Sequence, residues 1–124
     1  MASRPVSFTD REHDVMAALW RLGPSTVAEV RAAIADPLAY TTVLTVLRTL
    51  EAKGHAAHKD GDRAHRFRPL VSRKAAGAAA LRRVLDRLFD GSAVALVDQL
   101  VRLRGVGAAE VKRMRKRLKR SLKA

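Results

Sequence analysis

Tyr40-Thr41-Thr42-Val43-Leu44-Thr45-Val46-Leu47-Arg48-Thr49-Leu50, continued by Glu51-Ala52-Lys53-Gly54, is the stretch on which the fold turns. Advancing about 100° per residue from Val43 gathers Val43, Val46, Leu47 and Leu50 on one apolar arc. Thr41, Thr45 and Arg48 fall on the opposite arc, with Thr42 and Thr49 on one shoulder and Leu44 on the other. The spacing predicts a helix over residues 40–53. Gly54 is expected as its C-cap, and Lys53 suits the negative end of the dipole. Threonine is a poor helix former, so three or four on one face need a reason. A helix that enters the major groove supplies one: an apolar face for its own domain and short polar and basic side chains for the DNA.

The preceding residues read as two further helices. Thr9-Asp10-Arg11-Glu12 is a capping box opening a helix that carries Val15, Met16, Leu19, Trp20 and Leu22 and stops at Gly23-Pro24. Ser25-Thr26 with Glu29 starts a second, shorter helix with Val27, Val30 and Ile34 inward, and Asp36-Pro37 breaks it. After Gly54 the period changes. His55 to Lys59 and Arg63 to Leu70 flank Asp60-Gly61-Asp62 and predict a hairpin, with Pro69 ending its second strand or confining it to an edge. Three short helices and a hairpin make the order of a winged helix. That fold also has a strand before its second helix, around Ser25, where the sequence gives little sign of one.

From Val71 onward the chain reads as a separate helical module. Leu81, Val84, Leu85, Leu88 and Phe89 repeat at helical spacing up to Asp90-Gly91. Ala93, Leu96, Val97, Leu100 and Val101 follow as a second amphipathic helix. Val111, Met114, Leu118 and Leu122 mark a third, after a break at Gly105 and Gly107. Roughly 50 residues bury too little surface to stand alone, so a partner subunit is the expected cover for these faces. The expected fold is mainly α with a small β-hairpin: a winged helix-turn-helix domain over residues 1–70, then a helical dimerisation domain over 71–124.

The 124 residues carry 25 Lys and Arg against 12 Asp and Glu, a net charge of +13, which calls for a polyanionic or membrane-surface partner. No apolar run reaches the roughly 18 residues of a membrane span and no signal-peptide core follows Met1, so the expected location is cytoplasmic. The absence of cysteine excludes disulfides, thiolate nucleophiles and Cys-based metal sites. No cofactor is expected. His13, His55, His58 and His65 lack metal-ligand spacing; His58 and His65 face each other across the hairpin, but two ligands do not make a zinc site. No phosphate loop, nucleophile elbow or dinucleotide fingerprint is present, and no enzyme is expected.

Lys59, Arg63, His65 and Arg66 cluster around the hairpin turn, as a wing resting on phosphates requires; Asp60 and Asp62 weaken the field there, which favours positioning over reading. The last helix holds Lys112, Arg113, Arg115, Lys116, Arg117, Lys119, Arg120 and Lys123 against Glu110. Nonspecific DNA contact, an acidic protein surface and membrane headgroups all fit that run. A nonspecific, nucleoid-type nucleic-acid-binding protein therefore stands beside a sequence-specific repressor as an alternative, and an interaction adaptor built on a winged helix is a third.

Asp10 to Met16 through Trp20, and Tyr40 to Leu47 through Lys53-Gly54, resemble the penicillinase-repressor (BlaI/MecI) family. Gly61-Asp62-Arg63-Ala64-His65-Arg66-Phe67 with Pro69 looks like its wing, and Leu88-Phe89-Asp90-Gly91-Ser92 like the junction between its dimerisation helices. The resemblance runs from about residue 7 to 104. It implies a repressor that is dimeric through its C-terminal helices and sits on a palindromic operator. The reading residues would be Thr41, Thr42, Thr45 and Arg48, with Ser25 and Thr26 at phosphate; Leu44, from its own place on the shoulder of the helix, suits a thymine methyl. It also implies a membrane-bound metallopeptidase sensor in the pathway, with induction by cleavage in the dimerisation domain. Here Gly91-Ser92-Ala93-Val94 stands where some members carry an Asn-Phe cleavage site, so cleavage does not carry over with the rest. The cysteines of a copper-responsive branch are absent. Arg48 lies one position earlier than the arginine usual in this helix, a rotation of about 100°.

Overall fold

The computed structural model describes residues 6–59 and 65–123. Helix α1 (Asp10–Leu22) opens on the expected capping box: Thr9 Oγ1 accepts the Glu12 amide at 3.2 Å and Glu12 Oε1 accepts the Thr9 amide at 2.8 Å. Helix α2 (Val27–Ala33) repeats the device with Thr26 and Glu29, at 3.1 and 2.9 Å. Each box satisfies two of the amide groups that a helix start leaves open.

Helix α3 (Tyr40–Ala52) ends one residue before the expected boundary. Lys53 is the cap, and Gly54 follows it at φ +83°. The Gly54 amide donates to the Glu51 carbonyl and the His55 amide to the Leu50 carbonyl, at 3.0 and 2.9 Å. This Schellman closure needs a left-handed residue after the cap, which glycine supplies without a Cβ penalty.

The hairpin strands β2 (Ala56–Lys59) and β3 (Arg66–Pro69) pair antiparallel, from Ala56 opposite Pro69 to Lys59 opposite Arg66. A strand does form before α2: β1 (Ser25–Thr26) pairs with β3, placing Ser25 opposite Phe67 and Thr26 opposite Arg66. Two residues cannot display an alternating pattern, so β1 exists through its partner and not through its own sequence. The sheet order is β1-β3-β2, and Pro69 closes the central strand at its last residue.

Val15, Met16 and Leu19 of α1, Val27 and Val30 of α2, and Val43, Leu47 and Leu50 of α3 form one core with Ala56 and Phe67. Leu22, at the helix end, is 47% exposed. Trp20 is half-buried; its indole N–H donates to the Val71 carbonyl at 2.8 Å, and the Arg73 guanidinium lies 5.2 Å over its ring. These contacts, with Ala76 buried, tie the start of α4 (Arg73–Leu88) to the first compact unit, which ends at Leu81. The sequence reading puts the boundary at 70/71; the packing carries the unit about three helical turns further.

The second unit begins at Arg82 and contains α5 (Ala93–Arg104) and α6 (Ala108–Lys123). Ser92 caps α5 by accepting the Ala95 amide at 3.1 Å, and Gly105 ends it in a left-handed conformation. Neither α5 nor α6 has a buried residue. Leu88, Val94, Leu103 and Leu122 are each about three-quarters exposed or more. Among the described residues no helix is long and apolar enough to cross a membrane.

Candidate nucleic-acid interface

The core grips α3 by Val43, Leu47 and Leu50, all fully buried, and this fixes which face looks outward. Thr41, Thr42, Thr45, Arg48 and Thr49 are exposed, and Leu44 is half-buried on the shoulder. Val46, expected on the inward arc, is also half-buried and packs at the edge of the core.

The outward hydroxyls are not equivalent. Thr45 Oγ1 donates to the Thr41 carbonyl at 2.8 Å, and Thr49 Oγ1 donates to the Thr45 carbonyl at 3.0 Å. Each therefore spends its hydrogen on its own helix and offers lone pairs and a methyl group outward. Such a group can accept from an adenine or cytosine amino group, or touch a thymine methyl. Arg48 makes no ion pair with any described residue. Its donors are available to a phosphate or a guanine edge.

One half-buried ion pair orients this helix. Lys53, at the end of α3, reaches the Glu12 carboxylate of α1 at 2.8 Å, and the Glu12 side chain is only 6% exposed. Burial pushes the Glu12 carboxyl up. The Lys53 hydrogen bond, the Thr9 amide and hydroxyl, and the Lys53 charge outweigh that push and hold it below the usual carboxylate value. Glu12 thus serves two ends at once: the capping box of α1 and the anchor of α3.

In the wing, Lys59, His65 and Arg66 are exposed. Lys59 makes no ion pair with a described residue, whereas Arg66 reaches Glu29 at 3.0 Å. Thr26 amide and hydroxyl contacts, then Arg66, hold the Glu29 carboxyl below its usual value. Arg66 therefore clamps β3 to the start of α2. Arg63 and the Asp60-Gly61-Asp62 turn lie outside the described residues. The wing's first strand is tied to α3 as well: Glu51 Oε2 accepts from the His58 amide at 3.0 Å and lies 2.6 Å from His58 Nδ1. His58 and His65 stack edge to face at 5.0 Å. Among the described residues no group of three ligands that could hold a metal is found.

The structure draws Ser25 away from the surface that the sequence assigns it. It is 2% exposed, and its hydroxyl donates to the Gly23 carbonyl at 2.6 Å, because pairing with Phe67 turns it into the sheet. Thr26, next to it, is half-buried, and its oxygen accepts the Glu29 amide. Two further residues share these exposed faces. Thr49 lies on the outward face of α3. Arg68 is exposed on β3, two residues from Arg66 and so on the same face; the alternation Arg66-Phe67-Arg68 was the available signal.

The geometry is that of a winged helix with a polar, basic third helix turned outward. A solved MarR family protein from Bacillus stearothermophilus shares the fold: it is 20% identical, with a TM-score of 0.50 over 79% of this chain and 71% of its own. The Transcriptional regulator BlaI of Mycobacterium tuberculosis, in strains CDC 1551 and H37Rv alike, is 38% identical over 114 residues, covering 88% of this chain and 80% of that protein. The penicillinase repressor family model matches residues 8–120. The chain belongs to the penicillinase repressor family and is a DNA-binding transcriptional repressor, a regulator and not an enzyme.

Proposed function

We propose that two copies of the chain bind a palindromic operator, with α3 in the major groove and the wing on the phosphate backbone. The observation that carries this is the face of α3 formed by Thr41, Thr42, Thr45 and Arg48, outward because Val43, Leu47 and Leu50 are fixed in the core. Leu44 sits at the margin of that face, placed for a thymine methyl. Lys59 and Arg66, with Arg63, supply the positioning charge, and His65 stands exposed beside them. Thr26 contributes by fixing the start of α2 through its capping box with Glu29. Ser25 contributes through the sheet it builds.

The second unit supports the dimer. Val84, Leu88, Val97, Leu100 and Leu118 are exposed in the single chain, as is Leu81 just before the unit begins. Leu85, Phe89, Leu96, Val101 and Met114 are half-buried. Apolar area on this scale calls for a partner, and a second copy gives the two-fold symmetry that a palindrome mirrors. The repressor acts in the cytoplasm. On the strength of the resemblance, a membrane-bound metallopeptidase sensor is the upstream partner, and a gene for one beside this gene would support that step.

Selection from a randomised duplex pool with the full chain tests the reading. The expected result is enrichment of two inverted half-sites about 10–10.5 base pairs apart, or a multiple of that. Binding without any enrichment would establish the nonspecific, nucleoid-type alternative instead.

A further inference from the structure

The basic residues of α6 have no part in the operator and dimer contacts above. Eight Lys and Arg against the single Glu110 give it a net charge of +7, more than half of the chain's +13. At about 100° per residue, Val111, Met114, Leu118 and Leu122 occupy a stripe about 80° wide. Arg115, Lys119, Lys112, Lys123, Lys116, Arg120, Arg113 and Arg117 then sweep an arc of roughly 200°. Lys and Arg stand at five i,i+4 spacings along it, each a mutual repulsion within the helix. None of these eight makes an ion pair with a described residue. A polyanion laid along the arc offsets every one of those repulsions with attraction.

Resting on the DNA-binding reading, we propose that α6 is a second DNA-contacting element, whose basic arc grips phosphates of double-stranded DNA without reading sequence. Its narrow apolar stripe fits one helix seam, with Val111 and Met114 already half-buried, and leaves the arc outward. A helix that lies in a membrane interface needs a broad apolar face, commonly with Trp, Phe and Leu. Here the stripe holds one Val, one Met and two Leu, without an aromatic residue. The chain is moreover a DNA-binding repressor, so phosphate is the anion held at high local concentration near this helix.

The test compares the full chain with Lys112→Gln/Lys116→Gln/Arg120→Gln/Lys123→Gln, four exposed positions at the centre of the arc. Glutamine keeps helix propensity, and circular dichroism with sedimentation checks that fold and assembly are intact. Binding to a selected operator duplex and to a random duplex is measured across a salt series. The slope of log affinity against log salt is expected to become shallower by about 0.9 for each phosphate that the variant no longer neutralises, hence by about 2 or more, on both duplexes. The operator-to-random ratio is expected to stay within about twofold. Unchanged slopes and affinities with operator binding intact would overturn the proposal and leave the repressor reading standing. A fall in the ratio alone would show that α6 reads bases, and would overturn it too. Vesicles containing about 30% phosphatidylserine provide the other arm: binding by the parent chain and not the variant, with unchanged DNA slopes, would assign the arc to a membrane surface. If the parent chain bound no DNA, both readings would fail together.

Discussion

Replacing Lys53 by methionine keeps the aliphatic stem and removes the charge facing Glu12. The Glu12 carboxylate, with its side chain 6% exposed, is then left without its cation and keeps only the Thr9 amide and hydroxyl of the capping box. Breaking a fully buried pair in this way costs about 3–5 kcal/mol. Lys53 is 31% exposed and water reaches its end of the pair, so about 2–3 kcal/mol is the better figure. For a domain of this size that lowers the melting temperature by roughly 10–20 °C. The pH dependence fixes the cause. The folded Glu12 carboxyl titrates below the ordinary glutamate value, so the stabilisation is full above that ordinary value and is lost as pH falls through the lower, folded one. In Lys53→Met the buried carboxyl is without its largest compensation and titrates higher, so the gap between parent and variant closes on acidification. Thermal melts from about pH 7 down to about pH 3 read both effects. A destabilisation below about 0.5 kcal/mol at neutral pH, or a gap that ignores pH, would refute the role given to this pair.

Three further outcomes follow from single substitutions. Thr45→Ala removes an exposed hydroxyl whose hydrogen is spent on the Thr41 carbonyl, so thermal stability is expected to hold or rise by about 0.5 kcal/mol. Gly54→Ala meets no atom within 4 Å, yet φ is +83°; a loss of about 1–2 kcal/mol in denaturant titration is expected from backbone strain alone, and a neutral result would show that the loop relaxes. Leu88→Asp leaves the single chain's core untouched, because Leu88 is 74% exposed. Sedimentation velocity should nonetheless show dimer dissociation raised at least about tenfold, since burial of one leucine is worth about 1.5–3 kcal/mol.

The parts of this fold that were legible are the ones written locally. Thr9-Glu12 and Thr26-Glu29 announce their helices because a capping box closes within four residues. The period of Val43, Leu47 and Leu50 states which face of α3 is buried. What was illegible depends on partners distant in the chain. β1 is two residues that Phe67 and Arg66 recruit; with it, Ser25 moves from the surface into the sheet. The first half of α4 joins the first unit because Trp20 finds Val71 and Arg73, about 50 residues away. Glu12 reads as a capping residue, and nothing nearby tells of Lys53, 41 positions on. On α3 the periodicity shows which threonines face outward, while the back-bonding that makes Thr45 an outward acceptor appears only in the folded helix.

The claim that α3 reads the operator while the wing positions it is tested most directly by one comparison at fixed salt. The operator-to-random affinity ratio is measured for the parent chain, for Arg48→Ala and for Lys59→Ala. Arg48→Ala is predicted to lower the ratio, by roughly 5- to 150-fold for the 1–3 kcal/mol of a good base contact. Lys59→Ala is predicted to weaken binding to both duplexes alike and leave the ratio unchanged. An unchanged ratio for Arg48→Ala, or an equal fall for both variants, would contradict it.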